Sequence, residues 1–378
     1  MSKRIAFIAV NQSAPWGGSE ELWAQSAMRA VQTGYEVGIN VQGWQPTVPQ
    51  IDALAQAGCN ISYRWYNKTP FHLIQFKLYK EETYYRWLDR FKPELAVISQ
   101  ASNIDGIGWM EACAARNIPF IPISQAAAPN YWPSDELAKR LAVAYRQAIA
   151  SCFVSQRNID LTVTQIAANL PKAQVVRNPF NVSYDAALPW PKSAEPLKLA
   201  CVGRLEPFSK GQDVLFEVLK QEKWRQRPLQ VTLYGKGTSQ STLAKLKDLW
   251  QLDQVTFGAY VNDIESIWAA HHGLILPSRY EGLPLAVVEA MLCARPCIVT
   301  DVAGNTELIE NNVHGFIADA PQIKCLDAAL ESAWQQRSRW QEIGQAAAVR
   351  VRQLVPRDPI GEFVSILETA LKQTAQTS

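Results

Sequence analysis

The chain has 378 residues, which is too long for one comfortable hydrophobic core and suits two domains of ordinary size. With 48% hydrophobic and 19% charged residues it is a globular protein and not a disordered one. The net charge of +2 gives no general electric field that would attract nucleic acid, so nucleic acid is not an expected partner.

Signals for targeting and for disulfides are weak. The apolar run 5–10 is too short for the hydrophobic region of a signal peptide with its cleavage site, and no apolar segment approaches the length of a membrane span. Seven cysteines are scattered without the spacing of a metal site or of a secreted disulfide framework. We therefore expect a reducing compartment, the cytoplasm.

The first half of the chain alternates strand and helix patterns. Helical spacing is clear over 20–33 and 137–150. Apolar runs predict strands at 5–10, 37–41, 61–65, 95–99, 120–124, 152–155 and 175–177. This alternation predicts a Rossmann-like N-terminal domain over 1–182, with a parallel sheet covered by helices on both faces.

A glycine turn follows the first predicted strand. Gly17 and Gly18 let the backbone approach a ligand, and Ser19 is predicted to cap the helix that follows. A tight strand-to-helix turn explains the same residues, and both interpretations stay open.

The segment 64–91 interleaves aromatic side chains with lysines and arginines. A basic, aromatic helix suits peripheral contact with an anionic membrane, or an anionic glycan acceptor. Glu81, Glu82 and Asp89 dilute its charge, so a core helix with a solvated basic face is the alternative.

The strand and helix pattern restarts after a proline-containing linker predicted at 183–196. A second Rossmann-like domain is predicted over 197–358, and a C-terminal helix over about 360–378. The strands of this second sheet are predicted at 199–202, 231–234, 255–257, 273–276, 297–300 and 316–318. Ligands of such folds bind at the carboxyl ends of the strands.

Two cations follow the first strand of the second domain. Gly203 ends that strand, Arg204 comes next, and Lys210 precedes the following helix. Near a helix N-terminus, the fork of an arginine and the point charge of a lysine can neutralise a diphosphate. The alternative is two exposed loop cations, and Glu206 either orients Arg204 or is solvated.

A pair of glutamates eight positions apart spans a loop-to-helix junction farther on. Glu281 lies on the loop, beside the peptide N–H groups of Gly282 and Leu283, and Glu289 lies in the first turns of the helix. Glu281 can accept sugar hydroxyls at the mouth of the helix, and Glu289 can hold a diol such as a ribose. Two solvated carboxylates could have the same spacing, so the pair indicates a binding site only together with the surrounding sequence.

That setting is the stretch 277–316, in which Pro-Ser, Glu-Gly-Leu-Pro, a helix, Arg295-Pro296, a second strand and Gly304-Asn305 follow in order. It resembles the nucleotide-sugar site of retaining glycosyltransferases of family 4. The resemblance implies the α/β GT-B fold, in which two Rossmann-like domains face each other across a cleft and the C-terminal helix packs back on the first domain. It also implies a nucleotide-sugar donor with a UDP, GDP or ADP carrier and a glycan or glycolipid acceptor.

The same resemblance implies roles for individual residues. Arg204 and Lys210 match the pyrophosphate contacts, and Gly17 with Gly18 match a loop that reaches toward the transferred sugar and the acceptor. The backbone of Tyr260 and Val261 matches the nucleobase contact. Gly235, which ends another strand, is as consistent with a structural turn as with a ligand-lining position.

The chain departs from the family pattern in the first domain. Many members have a histidine after a mid-domain strand, and none of the four histidines of this chain lies there. Gln125 occupies the equivalent stretch and could donate to a sugar hydroxyl without carrying charge.

No Asp-x-Asp motif is present, so no metal cofactor is expected, and the family's mechanism is front-face attack with retention of anomeric configuration. The alternatives are an epimerase-type enzyme on the same fold and a non-catalytic nucleotide-sugar or glycan-binding protein. An enzyme acting on a membrane glycolipid would work at the cytoplasmic face of that membrane.

Overall fold

The computed structural model describes residues 3–12, 14–65, 75–192, 195–259, 261 and 263–377, with the backbone alone for 75–82 and 375–377. The chain divides into two compact units. The first comprises 1–179 together with 358–378, and the second comprises 180–357. The segment 183–196, predicted as a linker, is part of the second unit.

The first unit contains a seven-stranded sheet in the order β3-β2-β1-β4-β5-β6-β7, and its paired strands are parallel. Its elements are β1 (Arg4–Ala9), α1 (Gly18–Gln32), β2 (Glu36–Gln42), α2 (Pro49–Gln56), β3 (Asn60–Arg64), α3 (Gln75–Phe91), β4 (Leu95–Gln100), α4 (Ile107–Ala115), β5 (Phe120–Ser124), α5 (Asp135–Gln147), β6 (Ser151–Phe153), α6 (Gln156–Ile166) and β7 (Ala173–Val175).

Both faces of this sheet are buried, which explains why its strands are apolar without alternation. Ile5 and Phe7 of β1 contribute to the core on one face, and Ala6 and Ile8 contribute to the core on the other. Successive strand residues point to opposite faces, so a strand covered by helices on both sides needs apolar residues at every position.

The second unit contains a six-stranded sheet in the order β10-β9-β8-β11-β12-β13, also parallel. Its elements are β8 (Leu197–Val202), α7 (Pro207–Lys210), α8 (Gln212–Leu219), α9 (Glu222–Arg225), β9 (Leu229–Tyr234), α10 (Gln240–Leu249), β10 (Val255–Phe257), α11 (Ile264–Ala270), β11 (Gly273–Leu276), α12 (Leu285–Leu292), β12 (Cys297–Thr300), α13 (Asn305–Leu308), β13 (Gly315–Ala318), α14 (Ile323–Gln335) and α15 (Trp340–Leu354).

The last helix, α16 (Pro359–Thr377), returns to the first unit and packs on α1. Its apolar side chains, among them Phe363 and Leu367, are buried in the same core as Trp23 and Ala27 of α1. Arg29 on α1 donates to Asp358, just before α16, at 2.6 Å.

The predicted parallel α/β architecture of both halves is confirmed. Each predicted strand lies within two residues of an observed one at both ends. In each sheet the strand order reverses at one point: β1 lies between β2 and β4, and β8 lies between β9 and β11. Ligands of doubly wound folds bind outside the carboxyl ends of the strands at such a point.

Candidate functional site

The candidate site of the second unit lies where its strand order reverses. Gly203 and Arg204 follow β8, and the loop that contains Glu281 follows β11, the neighbouring strand. The predicted diphosphate-binding loop and the predicted sugar-binding loop therefore leave the sheet side by side.

Two glycines allow the chain to pass closely at this edge. Gly211 has a φ of +66°, and a Cβ there would lie 2.0 Å from the carbonyl oxygen of Pro277. Gly235 has a φ of +141°, and a Cβ there would lie 2.0 Å from the carbonyl oxygen of Gly203. Both positions therefore need glycine for conformation and for space. Packing thus requires glycine at position 235, and the contact of Gly235 with a ligand stays a prediction.

Lys210 and Glu281 form an ion pair at the centre of this edge. The Lys210 Nζ donates to Glu281 Oε1 at 2.5 Å, and the Ser278 Oγ donates to the same oxygen at 2.7 Å. The two side chains are only 16% and 9% exposed. The interpretation of Lys210 as an exposed loop cation is therefore wrong: it lies at the end of a one-turn helix, and its charge is balanced by a buried carboxylate.

A second ion pair fixes the two loops against each other. Arg279 donates to both carboxylate oxygens of Asp213 at 2.7 Å each, and its backbone N–H donates to the carbonyl of Ser209 at 2.8 Å. Burial alone would raise the pKa of Asp213, but the hydrogen bonds and the charge of Arg279 outweigh burial and lower it. This brace keeps Lys210 within reach of Glu281.

Arg204 is the more accessible cation of the site. Its side chain is 46% exposed, and its Nη2 lies 3.6 Å from Glu206 Oε2, so Glu206 is close enough to orient it. The buried Gln212 donates to the Arg204 carbonyl oxygen at 2.7 Å and fixes the backbone of this loop. The guanidinium can thus reach a ligand while its main chain stays in place.

The N-terminal end of α12 presents free peptide groups beside Glu281. Within the described residues, the N–H groups of Gly282 and Leu283 donate no hydrogen bond, whereas the Gly282 carbonyl accepts from the Gly304 N–H at 3.0 Å. The positive end of a helix and unpaired N–H groups together favour an anion or a sugar hydroxyl.

Glu289 is buried on α12, with 3% of its surface exposed. Its Oε1 accepts from both the backbone N–H and the side-chain amide of Asn181, each at 3.0 Å. Burial raises the pKa of Glu289 to about 7, and the Asn181 hydrogen bonds oppose that rise without cancelling it. Asn181 leaves Oε2 as the carboxylate oxygen that can accept from a ligand.

Two adjacent histidines of the second unit, His271 and His272, are held by main-chain contacts. The His271 Nδ1 lies 2.7 Å from the Ile267 carbonyl oxygen, and burial lowers its pKa. The His272 Nδ1 accepts from the Lys198 N–H at 3.0 Å. In the parts of the chain that the structure describes, no group of three or more His, Cys, Asp and Glu residues has the arrangement of a metal site.

The glycine turn of the first unit differs in detail from its prediction. Gly17, not Ser19, is the N-cap of α1, and Gly18 is its first helical residue. Ser19 instead donates from its hydroxyl to the buried carboxylate of Glu20 at 2.6 Å, and Asn11 donates to Glu20 at 2.9 Å. An N-cap residue has an extended backbone and lies just before the first helical residue, as Gly17 does. Ser19 is already inside the first turn and so cannot take this position.

Gln125 directly follows β5, at the carboxyl edge of the seven-stranded sheet. Its Oε1 accepts from the side-chain amide of Asn178 at 2.7 Å, and both residues are buried. The residue proposed in place of the family's histidine is therefore held by a second amide.

Two predictions lie wholly or partly outside the described residues. Tyr260 is one of the residues that the structure does not describe, and Val261, which is half-buried, follows β10. Much of the segment 64–91 is likewise not described. Within the described chain, no helix has both the length and the apolarity needed to cross a bilayer.

Sequence reasoning missed four supporting residues of the second unit: Asn181, Asp213, Ser278 and Arg279. Ser278 donates to Glu281 from three residues away, whereas Asn181 reaches Glu289, and Arg279 reaches Asp213, only through contacts between distant parts of the chain. Asn181 is 108 residues from Glu289, and Arg279 is 66 residues from Asp213. No local pattern indicates these two long-range pairs.

Comparison with known proteins agrees with this geometry. Residues 196–336 match the family model of glycosyl transferases group 1. A galactosyltransferase of Escherichia coli, described as UDP-Gal:alpha-D-GlcNAc-diphosphoundecaprenol alpha-1,3-galactosyltransferase, is 41% identical over 69 residues, which cover 18% of each chain. An uncharacterized glycosyltransferase of Haemophilus influenzae is 24% identical over 336 residues, covering 87% of this chain and 90% of the relative.

Among solved structures, Anabaena HepE in complex with UDP-glucose superposes with a TM-score of 0.74 and 17% sequence identity, covering 97% of this chain and 99% of that one. This likeness confirms the GT-B fold. The chain spans less than two thirds of the length of the first curated relatives it matches. Residues 196–336 are therefore similar to glycosyl transferases group 1, within a chain that has the GT-B fold.

Proposed function

We propose that this protein transfers a sugar from a nucleotide-diphosphate sugar to an acceptor hydroxyl, with retention of anomeric configuration and without a metal ion. The observation that carries the proposal is the arrangement at the carboxyl edge of the six-stranded sheet. Lys210 and Glu281 are paired there at 2.5 Å, and Glu289 lies eight residues farther on, buried in the helix that begins beside Glu281.

The two cations would stabilise the leaving diphosphate. Arg204 can grip it with its fork, while Lys210 can exchange part of its contact with Glu281 for a phosphate oxygen. The free N–H groups of Gly282 and Leu283 would add hydrogen-bond donors to the same diphosphate. As the bond between C1 of the sugar and the phosphate oxygen breaks, its electron pair goes to the diphosphate. The two cations and the N–H groups would stabilise the negative charge that develops there.

The acceptor oxygen would form the new bond to C1 on the same face of the sugar, and the departing phosphate oxygen would take its proton. No protein side chain then serves as covalent nucleophile. Positioning and charge stabilisation would supply most of the rate enhancement.

The remaining candidate residues would bind the rest of the substrates. Glu289 would accept the two ribose hydroxyls, the backbone around Tyr260 and Val261 would meet the base, and Glu281 would accept hydroxyls of the transferred sugar. In the first unit, Gly17, Gly18 and Gln125 would contact sugar. UDP-sugars are the first donors to test, because several structures of similar fold contain UDP or UDP-glucose; GDP- and ADP-sugars are the other candidates.

The acceptor would be a glycan or a glycolipid, met in the cytoplasm or at the cytoplasmic face of a membrane. Several glycosyltransferase relatives, including a lipopolysaccharide 1,6-galactosyltransferase of Escherichia coli, are described by acceptors of this kind.

The experiment is a thermal-shift screen of the purified chain against UDP-, GDP- and ADP-sugars, followed by an assay of donor hydrolysis without acceptor. We expect stabilisation by one donor class and slow release of its nucleoside diphosphate. A chain that binds no nucleotide-sugar would contradict the proposal.

A non-catalytic nucleotide-sugar or glycan-binding protein is the second candidate, because the first unit has Gln125 where many related enzymes have a histidine. Binding of a donor without turnover, in the presence or absence of candidate acceptors, would favour it. An epimerase-type enzyme would instead convert the donor into a second nucleotide-sugar, which product analysis by chromatography would detect.

A further inference from the structure

A narrow cavity lies at the carboxyl edge of the seven-stranded sheet, where β1 and β2 end. Its walls include the rings of Trp16, Trp23 and Trp44, together with the polar side chains of Glu20 and Gln42. The centre of a water molecule can move within about 20 Å³ of this space, which leaves room for a group of a few atoms and not for a sugar ring. The cavity therefore suits a small substituent of a larger molecule.

Two polar atoms of the cavity walls have no hydrogen-bond partner among the described residues. They are Trp23 Nε1, a donor, and Gln42 Oε1, an acceptor. The Gln42 Nε2 donates to the Gly43 carbonyl oxygen at 3.4 Å, and turning this amide over would set two oxygens against each other. The unpaired atom of Gln42 is therefore its oxygen.

The two unpaired atoms indicate an occupant of the cavity. Buried indole N–H and amide groups are nearly always hydrogen-bonded, and Trp23 is only 1% exposed. Trp23 and Gln42 do not bond each other through these atoms, although both line the same space. A group that enters the cavity therefore lies beside one donor and one acceptor.

Glu20 limits the charge of that group. Its carboxylate is 5% exposed and accepts from Asn11 at 2.9 Å and from Ser19 at 2.6 Å. A carboxylate in the wall repels an anion, which disfavours a phosphate or a second carboxylate. An ammonium group would be attracted by Glu20, but it would set its own N–H groups against that of Trp23.

A secondary amide matches the remaining chemistry. Its carbonyl oxygen can accept from Trp23, and its N–H can donate to Gln42. A methyl group on the amide carbon would pack against the tryptophan rings. A hydroxyl group could make both hydrogen bonds, but it would leave the apolar walls without a partner. An acetamido group has all three features.

We propose that this cavity binds the acetamido group of an N-acetylated amino sugar, with Trp23 donating to its carbonyl oxygen and Gln42 accepting from its N–H. This inference rests on the proposed function for the ligand being a sugar, and it names the class of that sugar. The sugar is either part of the acceptor or the transferred sugar of the donor.

The test measures by calorimetry how strongly the purified chain prefers an acetamido group within matched pairs of ligands. The first pairs are the methyl glycosides of N-acetylglucosamine and glucose, and those of N-acetylgalactosamine and galactose. The donor pairs are UDP-N-acetylglucosamine with UDP-glucose, and UDP-N-acetylgalactosamine with UDP-galactose. Methyl glucosaminide, which carries an ammonium group, tests the cation alternative.

Three variants probe the cavity, and a fourth is the control. Trp23→Phe removes the N–H donor and keeps an aromatic ring, and Gln42→Leu removes the acceptor at similar size. Ala14→Leu fills the cavity from a half-buried loop position, so it covers the case in which the other two do not fold. Trp268→Phe is the matched control: Trp268 is fully buried, its Nε1 is also unpaired among the described residues, and it does not line this cavity.

We expect the wild type to bind the acetamido member of at least one pair more tightly than the hydroxyl member. Trp23→Phe and Gln42→Leu each lower that ratio about fivefold to tenfold, and Ala14→Leu lowers it to about one. Affinity for UDP stays unchanged, and Trp268→Phe lowers the melting temperature without changing the ratio. A preference among the methyl glycosides assigns the sugar to the acceptor, and one confined to the donor pairs assigns it to the transferred sugar.

The proposal is overturned if the wild type prefers the acetamido member of no pair, or if all three cavity variants keep the preference. Without any preference, the cavity holds an ordered water. Tighter binding of methyl glucosaminide than of the acetamido glycoside would overturn the proposal in favour of a cation site. A wild type that binds neither UDP nor UDP-sugars would count against the proposed function instead, and the methyl glycosides would still test the cavity.

Discussion

The carboxyl edges of the two sheets carry opposite kinds of polar chemistry. At the edge of the six-stranded sheet the side chains are charged: Arg204 and Lys210 follow one strand, and Glu281 follows its neighbour. At the edge of the seven-stranded sheet, Gln100 ends β4 and Gln125 follows β5. Both carry amides, but the Gln100 amide is buried and bonded to the Asp105 carbonyl and the Tyr145 hydroxyl. The folds are alike, so the difference lies in the loops.

The difference teaches what each edge is suited to hold. Charged side chains in a partly buried site suit a ligand whose charge changes during a reaction, such as a leaving diphosphate. Amides suit a neutral ligand that must be recognised by the positions of its hydroxyls. Substitutions at the charged edge should therefore affect turnover and nucleotide binding, and those at the amide edge should affect sugar discrimination.

The largest expected effect is that of Lys210→Ala, which should lower kcat by about a hundredfold at saturating donor if it resembles loss of one oxyanion donor. It should also lower the melting temperature, because it leaves Glu281 buried without its cation, and breaking a buried pair costs about 3–5 kcal/mol. Lys220→Ala, which removes an exposed ion pair with Glu217, is the control and should change neither. A variant that raises KM and keeps kcat would show that Lys210 only docks the donor.

Glu289→Ala should weaken nucleoside diphosphate binding about tenfold to a hundredfold, because ribose hydroxyls lose a charged acceptor worth ~1.5–3 kcal/mol. The ionised form accepts these hydrogen bonds, so the affinity of the wild type should fall as the pH falls through about 7, the pKa of Glu289. Glu289→Gln should lack this component, and the comparison cancels titration of the nucleotide itself. Calorimetry between pH 5.5 and 8.5 gives both quantities, and identical profiles would count against a ribose contact.

The raised pKa of Glu289 also predicts that the stability of the protein without ligand falls as the pH rises, whereas its nucleotide affinity rises. Folding raises the pKa of Glu289 from 4.5 to about 7, so the folded state binds the proton more tightly. The stability that this provides is complete below about pH 4.5 and is lost as the pH rises through 7. Without ligand, the wild type should therefore lose up to roughly 3 kcal/mol relative to Glu289→Gln over this range, measured by denaturant unfolding.

The candidate residues of the charged edge could be predicted from the sequence, whereas the residues that hold them in place could not. Local motifs at strand ends contain Glu281, Glu289, Arg204 and Lys210. The apolar runs that predict the strands place those ends within two residues of the observed ones. The burial of Lys210 could not be predicted, because it depends on the approach of Gly211 to Pro277. The amide edge has no motif, since Gln125 and Asn178 meet only in the fold.

Arg204→Lys should have a smaller effect, about a tenfold loss in kcat, because a point charge cannot reproduce a two-pronged contact with a diphosphate. The side chain is 46% exposed, so the melting temperature should stay within a degree or so of the wild type. Steady-state kinetics at saturating donor measures the loss. Full activity of the lysine variant would mean that Arg204 acts only through its charge.

Asn181→Ala should have the smallest effect at this edge. Removing its side-chain donor leaves the backbone N–H on Glu289 and should raise the pKa of Glu289 further. The pH at which nucleotide affinity begins to fall should therefore move upward, with a few-fold loss of affinity at pH 7. An unshifted profile would show that Asn181 does not position this carboxylate.

The central claim is that cationic side chains, and not a metal ion, stabilise the leaving diphosphate at the charged edge. Its most direct test is the release of nucleoside diphosphate from a bound nucleotide-sugar, measured for the wild type and for Lys210→Ala with and without excess EDTA. The account predicts that chelation leaves the wild-type rate unchanged while the lysine substitution lowers it about a hundredfold. A wild-type rate that is lost on chelation and restored by magnesium or manganese would contradict it.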